Sequence, residues 1–546
     1  MKASLRILLI SLTCLVIAVG AYFWATGLMD SIYAYRSPLQ FTPPEPDQPL
    51  GDPLTHRVVF VLIDALREDT ALDPAVMPYL TELRQQGAWA TMHSRPPSYS
   101  APAYTVLFTG AWPELSDGPA LNLEYDQLPT WTQDNLFSAA QRSGYQTAIS
   151  AFNWFEKLVP QAAVSASFYT AGEDQFADRQ VVDAALPWLA DGGYELVLIH
   201  IDQIDYAGHY QGGPQNPAWA AAATRADDLL REISALLDLN QDTLLICSDH
   251  GQIDAGGHGG QDPVVLREPF VLVGAGVIPG QYADIQMVDL APTLAALLGT
   301  NLPASAQGQV LTEMLALPPA QLTRVAAASQ AQQNQLLAAY QTAIGQEVSL
   351  AEDQNGVTAY QNALEAARNA RLKIERLPRF GLALLVLVLP LIYMWRKRNL
   401  ELAWTWGAAL LYTLVFNLRY ALLDGRTYSL SSVYSADDLI QYTAIGAAIA
   451  LGLAWLLLLG VRKILRRSPL NAAESVLSLT FITLYILALP VLWSYALNGV
   501  LVTWTLPEFS SMFLGFLSLI QGLIVAVLGL LLASISALIA RFTVQT

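Results

Sequence analysis

Apolar and polar positions along this chain follow two different rhythms. Between residues 58 and 298, short apolar runs alternate with stretches of helical period. Residues 58–63, 146–151, 195–201, 243–247 and 270–273 read as buried strands, and residues 132–142, 178–189, 218–237 and 288–298 read as helices. Continuous apolar runs separated by helices mark strands covered on both faces. They predict an α/β domain built on a mostly parallel sheet. Residues 321–344 and 357–374 are Ala- and Gln-rich helical patterns that predict a hairpin or stalk.

The second rhythm is lipid-like. Residues 5–24 are apolar with one charge, Arg6. That length crosses a hydrocarbon core of ~30 Å at about 1.5 Å per residue. The core of a cleaved signal is shorter, about 7–15 residues, so an uncleaved anchor is expected. Five more spans are predicted at 380–395, 403–422, 439–459, 476–497 and 512–540. Lys2 and Arg6 precede or open the first span. Arg396, Lys397 and Arg398 follow the second, Arg462, Lys463, Arg466 and Arg467 the fourth, and Arg541 the sixth. The opposite loops carry Asp424, Asp437, Asp438 and Glu508. Six spans with both termini in the cytoplasm put every basic cluster on one side, as the positive-inside bias requires, and put residues 28–376 outside. The expected organisation is an N-terminal anchor over 1–27, an α/β domain over 28–318, a helical stalk over 319–376 and a five-span bundle over 377–546.

Composition changes this picture in two places. Charged residues are only 14% of the chain and hydrophobic ones 53%, which excludes global disorder. The net charge of −17 also divides unevenly. Residues 28–376 hold 16 Lys/Arg and 40 Asp/Glu, a net of −24, and the remainder is +7. An external domain so acidic argues against a nucleic-acid partner, whose phosphates need Lys and Arg. Two cysteines, Cys14 and Cys247, exclude a disulfide framework. With no Asn-X-Ser/Thr sequon either, the outer face of a bacterial cell membrane is the expected location.

Candidate chemistry gathers at the carboxyl ends of the predicted strands, where ligands collect in open parallel sheets. Asp64 ends the first strand, and Asp249 and His250 end a later one, in Ser-Asp-His-Gly. Asp205 and His209 are four apart, so one helical turn aims both the same way. His258 lies in Gly-Gly-His-Gly-Gly, a loop free to fold back on the site. Carboxylates with neutral imidazoles suit Zn²⁺, with Mn²⁺ the alternative. Ser100 is the candidate nucleophile. Ser-Ala-Pro reads as an N-cap with proline in the first turn of a helix stopped at Gly110, and the helix dipole there favours an alkoxide. Ser98 competes with it. Asn122 suits either donation to a phosphoryl oxygen or a turn. Asp202 reads as support for a ligand, and His56, His93 and His200 as structural.

Taken together, these motifs resemble the alkaline phosphatase superfamily. Within it, they are most similar to the type I phosphodiesterase/nucleotide pyrophosphatase branch and its glycolipid-anchor ethanolamine phosphate transferases. The resemblance covers roughly residues 56–312. It rests on Asp64, Ser-Ala-Pro…Thr-Gly at 100–110, Asp-x-x-x-His at 205–209, Ser-Asp-His-Gly at 248–251, His258, and Val-Asp-Leu-Ala-Pro-Thr-Leu at 288–294. It implies one metal on Asp64, Ser100, Asp249 and His250, and another on Asp205, His209 and His258. With one residue inserted, Asn122 matches a phosphate-binding asparagine. A sulfatase would need Arg where Tyr104 stands. One span before the domain and five after resembles the anchor-transferase layout.

The expected activity is membrane-bound phosphoester hydrolysis, as a phosphodiesterase or phosphatase, through a phosphoserine and two divalent ions. The alternative is a phosphoethanolamine-type transferase acting on a lipid-linked glycan. A third reading is a non-catalytic metal-binding membrane module. Five C-terminal spans exceed what an anchor needs, which favours a lipid-linked substrate.

Overall fold

The computed structural model describes residues 3–349, 356–396 and 400–545; Lys2, Lys397 and Arg398 lie outside them. The chain divides into two units. One is formed by residues 1–32, 373–502 and 507–546, the other by Tyr33–Leu372 and Thr503–Leu506.

The second unit is built on a nine-stranded sheet: β1 Arg57–Ile63, β2 Ala88–His93, β3 Thr147–Phe152, β4 Ala166–Thr170, β5 Leu196–Ile201, β6 Asp242–Cys247, β7 Arg267–Gly274, β8 Gly280–Gln281 and β9 Ile285–Gln286. Its order is β4-β3-β5-β1-β6-β7-β2-β8, with β9 also on β2. The block from β4 to β6 is parallel, and β7 runs antiparallel to both β6 and β2. All residues of β1, β3, β5 and β6 are buried, because helices cover both faces. Phe60, Phe108, Phe137 and Phe155 lie in the core on one side of the sheet, and Val59, Val61, Ile199 and Ile246 in the core on the other.

The five predicted strands are present within a residue or a few at each end. β2, β4 and the two-residue strands β8 and β9 were not predicted. β2 reads Ala-Trp-Ala-Thr-Met-His and is buried only at alternate positions, while β4 is a half-exposed edge strand. Neither offers the continuous apolar run of a central strand. The helix predicted at 132–142 starts only at Leu136, where Asn135 caps it by accepting from Ser138 N–H at 3.1 Å.

Among the described residues, six helices are long and apolar enough to cross a membrane: Ser11–Tyr33, Val357–Arg396, Leu400–Leu423, Ala436–Ile464, Pro469–Asn498 and Phe509–Phe542. The stalk pattern and the second predicted span form one continuous helix, Val357–Arg396, with Pro378 and Pro390 inside it. Arg462, in the loop-proximal turn of its span, is buried; its guanidinium donates to Glu401, to Ser475 and, at 2.8 Å, to the Ser468 carbonyl.

Candidate metal centre and nucleophile

Three adjacent strands set the site. Because β1 lies between β5 and β6, Asp64 follows β1 with Asp202 after β5 on one side and Asp249 after β6 on the other. In-register pairing (Ile63 with Ile201, Leu62 with Cys247) brings these carboxylates to one edge. The helix Gln203–Tyr210 then places Asp205 and His209 on one turn.

Two clusters result. In the first, His250 Nε2 lies 3.2 Å from Ser100 Oγ, 3.3 Å from Asp249 Oδ2 and 3.6 Å from Asp64 Oδ1. In the second, His209 Nε2 lies 3.4 Å from Asp205 Oδ2 and 3.0 Å from His258 Nε2, which is 3.7 Å from Asp205 Oδ1. The His250 and His258 rings stack at 3.9 Å and join the two. All seven residues proposed as metal ligands from sequence therefore converge in one place.

The donor chemistry fits cations. His250 Nδ1 donates to the Gly251 carbonyl at 3.1 Å, and His258 Nδ1 donates to the Ser98 carbonyl at 3.2 Å. A carbonyl only accepts, so in each neutral ring the proton sits on Nδ1 and the Nε2 lone pair faces the site. Asp249 Oδ1 accepts from Ala65 N–H at 3.1 Å, while its buried Oδ2 has no hydrogen-bond partner among the described residues; Asp64 Oδ1 is orphaned in the same way. Buried acceptors without donors are costly unless a cation joins them. Burial pushes the Asp64 carboxyl up to about 6, with the Asp249 charge adding to it, and pushes Asp249 up to about 7. Burial also raises Asp205, but the facing His209 and His258 outweigh it and leave that carboxyl below its usual value. Asp/His groups able to hold a metal ion are Asp64–Asp249–His250, Asp205–His250–His258 and Asp64–His200–Asp202.

The last group includes His200, read as structural from sequence, which the structure sets against Asp64. Its Nε2 lies 3.1 Å from Asp64 Oδ2 and 3.0 Å from the Tyr104 hydroxyl, which itself donates to that same oxygen. His200 sits inside β5, not after it, so the strand-end rule overlooked it. Its signal was its position two residues before Asp202. Tyr104 was noted only for not being Arg. Gln252, also unforeseen, donates Nε2–H to Asp205 Oδ1. His56 and His93 lie elsewhere, beside Asp242 and Asp284.

Ser100 opens the helix Ser100–Thr109, which Gly110 ends at φ 67°. The N-cap position belongs to Tyr99, not Ser100. Asn122 Oδ1 does the capping instead, accepting from Ala101 N–H at 3.0 Å, which leaves the Ser100 hydroxyl free to face His250. The competing Ser98 is occupied: its hydroxyl donates to the Gly260 carbonyl at 2.9 Å and pins the His258 loop. Gly259 in that loop has φ 103°, and a Cβ there would stand 2.1 Å from the Tyr99 ring, so glycine is required.

A family model described as type I phosphodiesterase / nucleotide pyrophosphatase matches residues 58–343, a little over half of the chain. The chain is 28% identical over 282 residues to GPI ethanolamine phosphate transferase 2, catalytic subunit, of Homo sapiens, covering 48% of this chain and 28% of that protein. It is 26% identical over 294 residues to GPI ethanolamine phosphate transferase 2 of Candida albicans, covering 49% of this chain and 33% of that one. The matched region thus spans about a third or less of these relatives. Among solved structures, human ectonucleotide pyrophosphatase / phosphodiesterase 5 aligns with a TM-score of 0.38 and 15% identity, over 45% of this chain and 95% of that chain.

Proposed function

The chain belongs to the type I phosphodiesterase/nucleotide pyrophosphatase family, and we propose that it is a membrane-bound transferase that moves a phosphoethanolamine-type group onto a lipid-linked glycan. The observation that carries phosphoester chemistry is Ser100 Oγ, free of any capping role, facing His250 Nε2 beside two orphaned carboxylate oxygens. The named relatives favour the transferase over the hydrolase expected from sequence.

In this reading Ser100 Oγ attacks phosphorus in line and the donor's alcohol departs. An acceptor hydroxyl then attacks the phosphoserine and frees Ser100. Asp64, Asp249 and His250 would hold one divalent ion and Asp205, His209 and His258 another, Zn²⁺ by their chemistry and Mn²⁺ as the alternative. When bound, such ions supply Lewis-acid neutralisation of phosphoryl and leaving oxygens. The chain itself provides the rest. The first turn of the helix favours negative charge at Ser100, Asn122 fixes that turn while its Nδ2 remains as a donor, and Tyr104 with His200 fixes Asp64. The basic clusters of the membrane helices support a non-cytoplasmic placement of residues 28–376, and the absence of sequons and of a second cysteine in that region supports a bacterial cell membrane.

The test uses the full-length protein in vesicles holding a headgroup-labelled phosphoethanolamine lipid and a glycolipid acceptor. Acceptor-dependent movement of label onto the glycolipid, with release of the lipid alcohol, is expected. Label released to water at the same rate with or without acceptor would return the assignment to hydrolysis.

A further inference from the structure

Beside the metal centre lies a shallow, largely open cleft that the chemistry above does not use. It measures about 350 Å³ and is lined by Ala171, Gly172, Glu173, Asp174, Tyr206 and Tyr210. One short helix, Gln203–Tyr210, serves both places. Asp205 and His209 form the stripe that enters the centre. Tyr206 and Tyr210 each lie one residue further on, about 100° round the helix. Their rings are 4.9 Å apart, and the Tyr210 ring is 6.1 Å from that of His209.

Glu173 supplies the charge of the cleft. It is half-buried and makes no hydrogen bond or ion pair with any other described residue. Its neighbour Asp174 is already engaged as a helix cap, accepting from Phe176 N–H at 3.0 Å and Ala177 N–H at 3.1 Å. Burial raises the Glu173 carboxyl; the charges of Asp205 and Asp64 add to this and those of His209 and His200 oppose it, so the group lies within the field of the metal centre.

A partly desolvated carboxylate that shares its cleft with two tyrosine rings is suited to one kind of ligand. The carboxylate attracts a cation and the ring quadrupoles add to that attraction, while an anion would meet only repulsion from Glu173. We propose that Glu173, Tyr206 and Tyr210 form the subsite for the ammonium end of the transferred group. The two-carbon arm of a phosphoethanolamine headgroup would lead from phosphorus at Ser100 into this cleft. The inference rests on the transfer reading above and adds where its substrate is recognised.

The experiment is calorimetric titration of the full-length, metal-loaded protein carrying Ser100→Ala, with O-phosphoethanolamine and with ethyl phosphate, which lacks only the ammonium. Phosphoethanolamine should bind about tenfold tighter, the scale of one partly desolvated cation–π and charge contact. Glu173→Gln and the exposed Tyr210→Ala should each shrink that preference at least about threefold while ethyl phosphate affinity holds. Equal affinity for the two ligands, or equal loss of both in Glu173→Gln, would overturn the subsite. The vesicle assay reads the other claim separately. A retained preference without label transfer would sink the transferase reading and leave the subsite standing; transfer without the preference would do the reverse.

Discussion

Asp64 Oδ1 lies 3.6 Å from His250 Nε2 and has no hydrogen-bond partner among the described residues, while its sister oxygen is held by Tyr104 and His200. One oxygen is anchored and the other is left open toward a cation. Loosening the anchor should therefore weaken the metal site without touching a ligand. Tyr104→Phe and His200→Ala should each lower metal affinity or activity about 10–100-fold, the usual effect of losing an outer-shell partner. Metal titration of the purified variants checks this, and wild-type affinity in both would refute it.

Ser100→Ala should abolish turnover, by about 10³-fold or more, because the covalent route is lost. Metal content, measured by mass spectrometry, should remain near the wild-type value, since His250 and the carboxylates still converge. Residual activity near wild type would move the nucleophile elsewhere.

Chelation should destabilise the protein, because the buried Asp64 and Asp249 and the partly buried Asp205 are then close together without a cation. The thermal midpoint should fall on stripping and recover on adding Zn²⁺ or Mn²⁺ by binding linkage. Asp249→Asn should remove the metal response while raising the midpoint of the stripped protein. A midpoint indifferent to chelator would contradict the centre.

Asn122 separates two roles in one pair of variants. Asn122→Ala loses the cap on Ala101 N–H and should cost about 1 kcal/mol of stability. Asn122→Asp keeps an accepting oxygen and should keep the stability, yet place negative charge where a phosphoryl oxygen must sit and so lower kcat/KM. Unchanged kcat/KM in the aspartate variant would leave Asn122 a cap only.

Asp289 predicts a pH effect away from the metals. It accepts from Gln286 N–H at 2.9 Å and Gln309 N–H at 2.8 Å, yet burial still pushes its carboxyl up to about 6. A raised folded value means the native state binds the proton more tightly than the unfolded chain. Stability should therefore fall as pH rises from about 4 to about 6 and level off above, an effect of up to about 3 kcal/mol. Asp289→Asn should flatten that slope in denaturation curves.

Much of this molecule is legible in its amino-acid order. The strands β1, β3, β5, β6 and β7 are continuous apolar runs, the spans are long apolar stretches, and the seven side chains proposed as metal ligands sit in short local motifs. The motifs do not separate hydrolysis from transfer, because the two share their first step and its residues; which acceptor follows is not written in the motif. β2 and β4 escaped because an alternating strand and an edge strand carry little apolar signal of their own.

What the sequence determined by itself is periodicity, and hence which residues end strands and which share a helical turn. Only the tertiary structure decided which strand ends are neighbours. The order β5-β1-β6 sets Asp202, Asp64 and Asp249 side by side and draws His200 from inside a strand onto Asp64. Those relations depend on backbone pairing between segments far apart in the chain, and local patterning carries no information about which distant segment a strand will pair with.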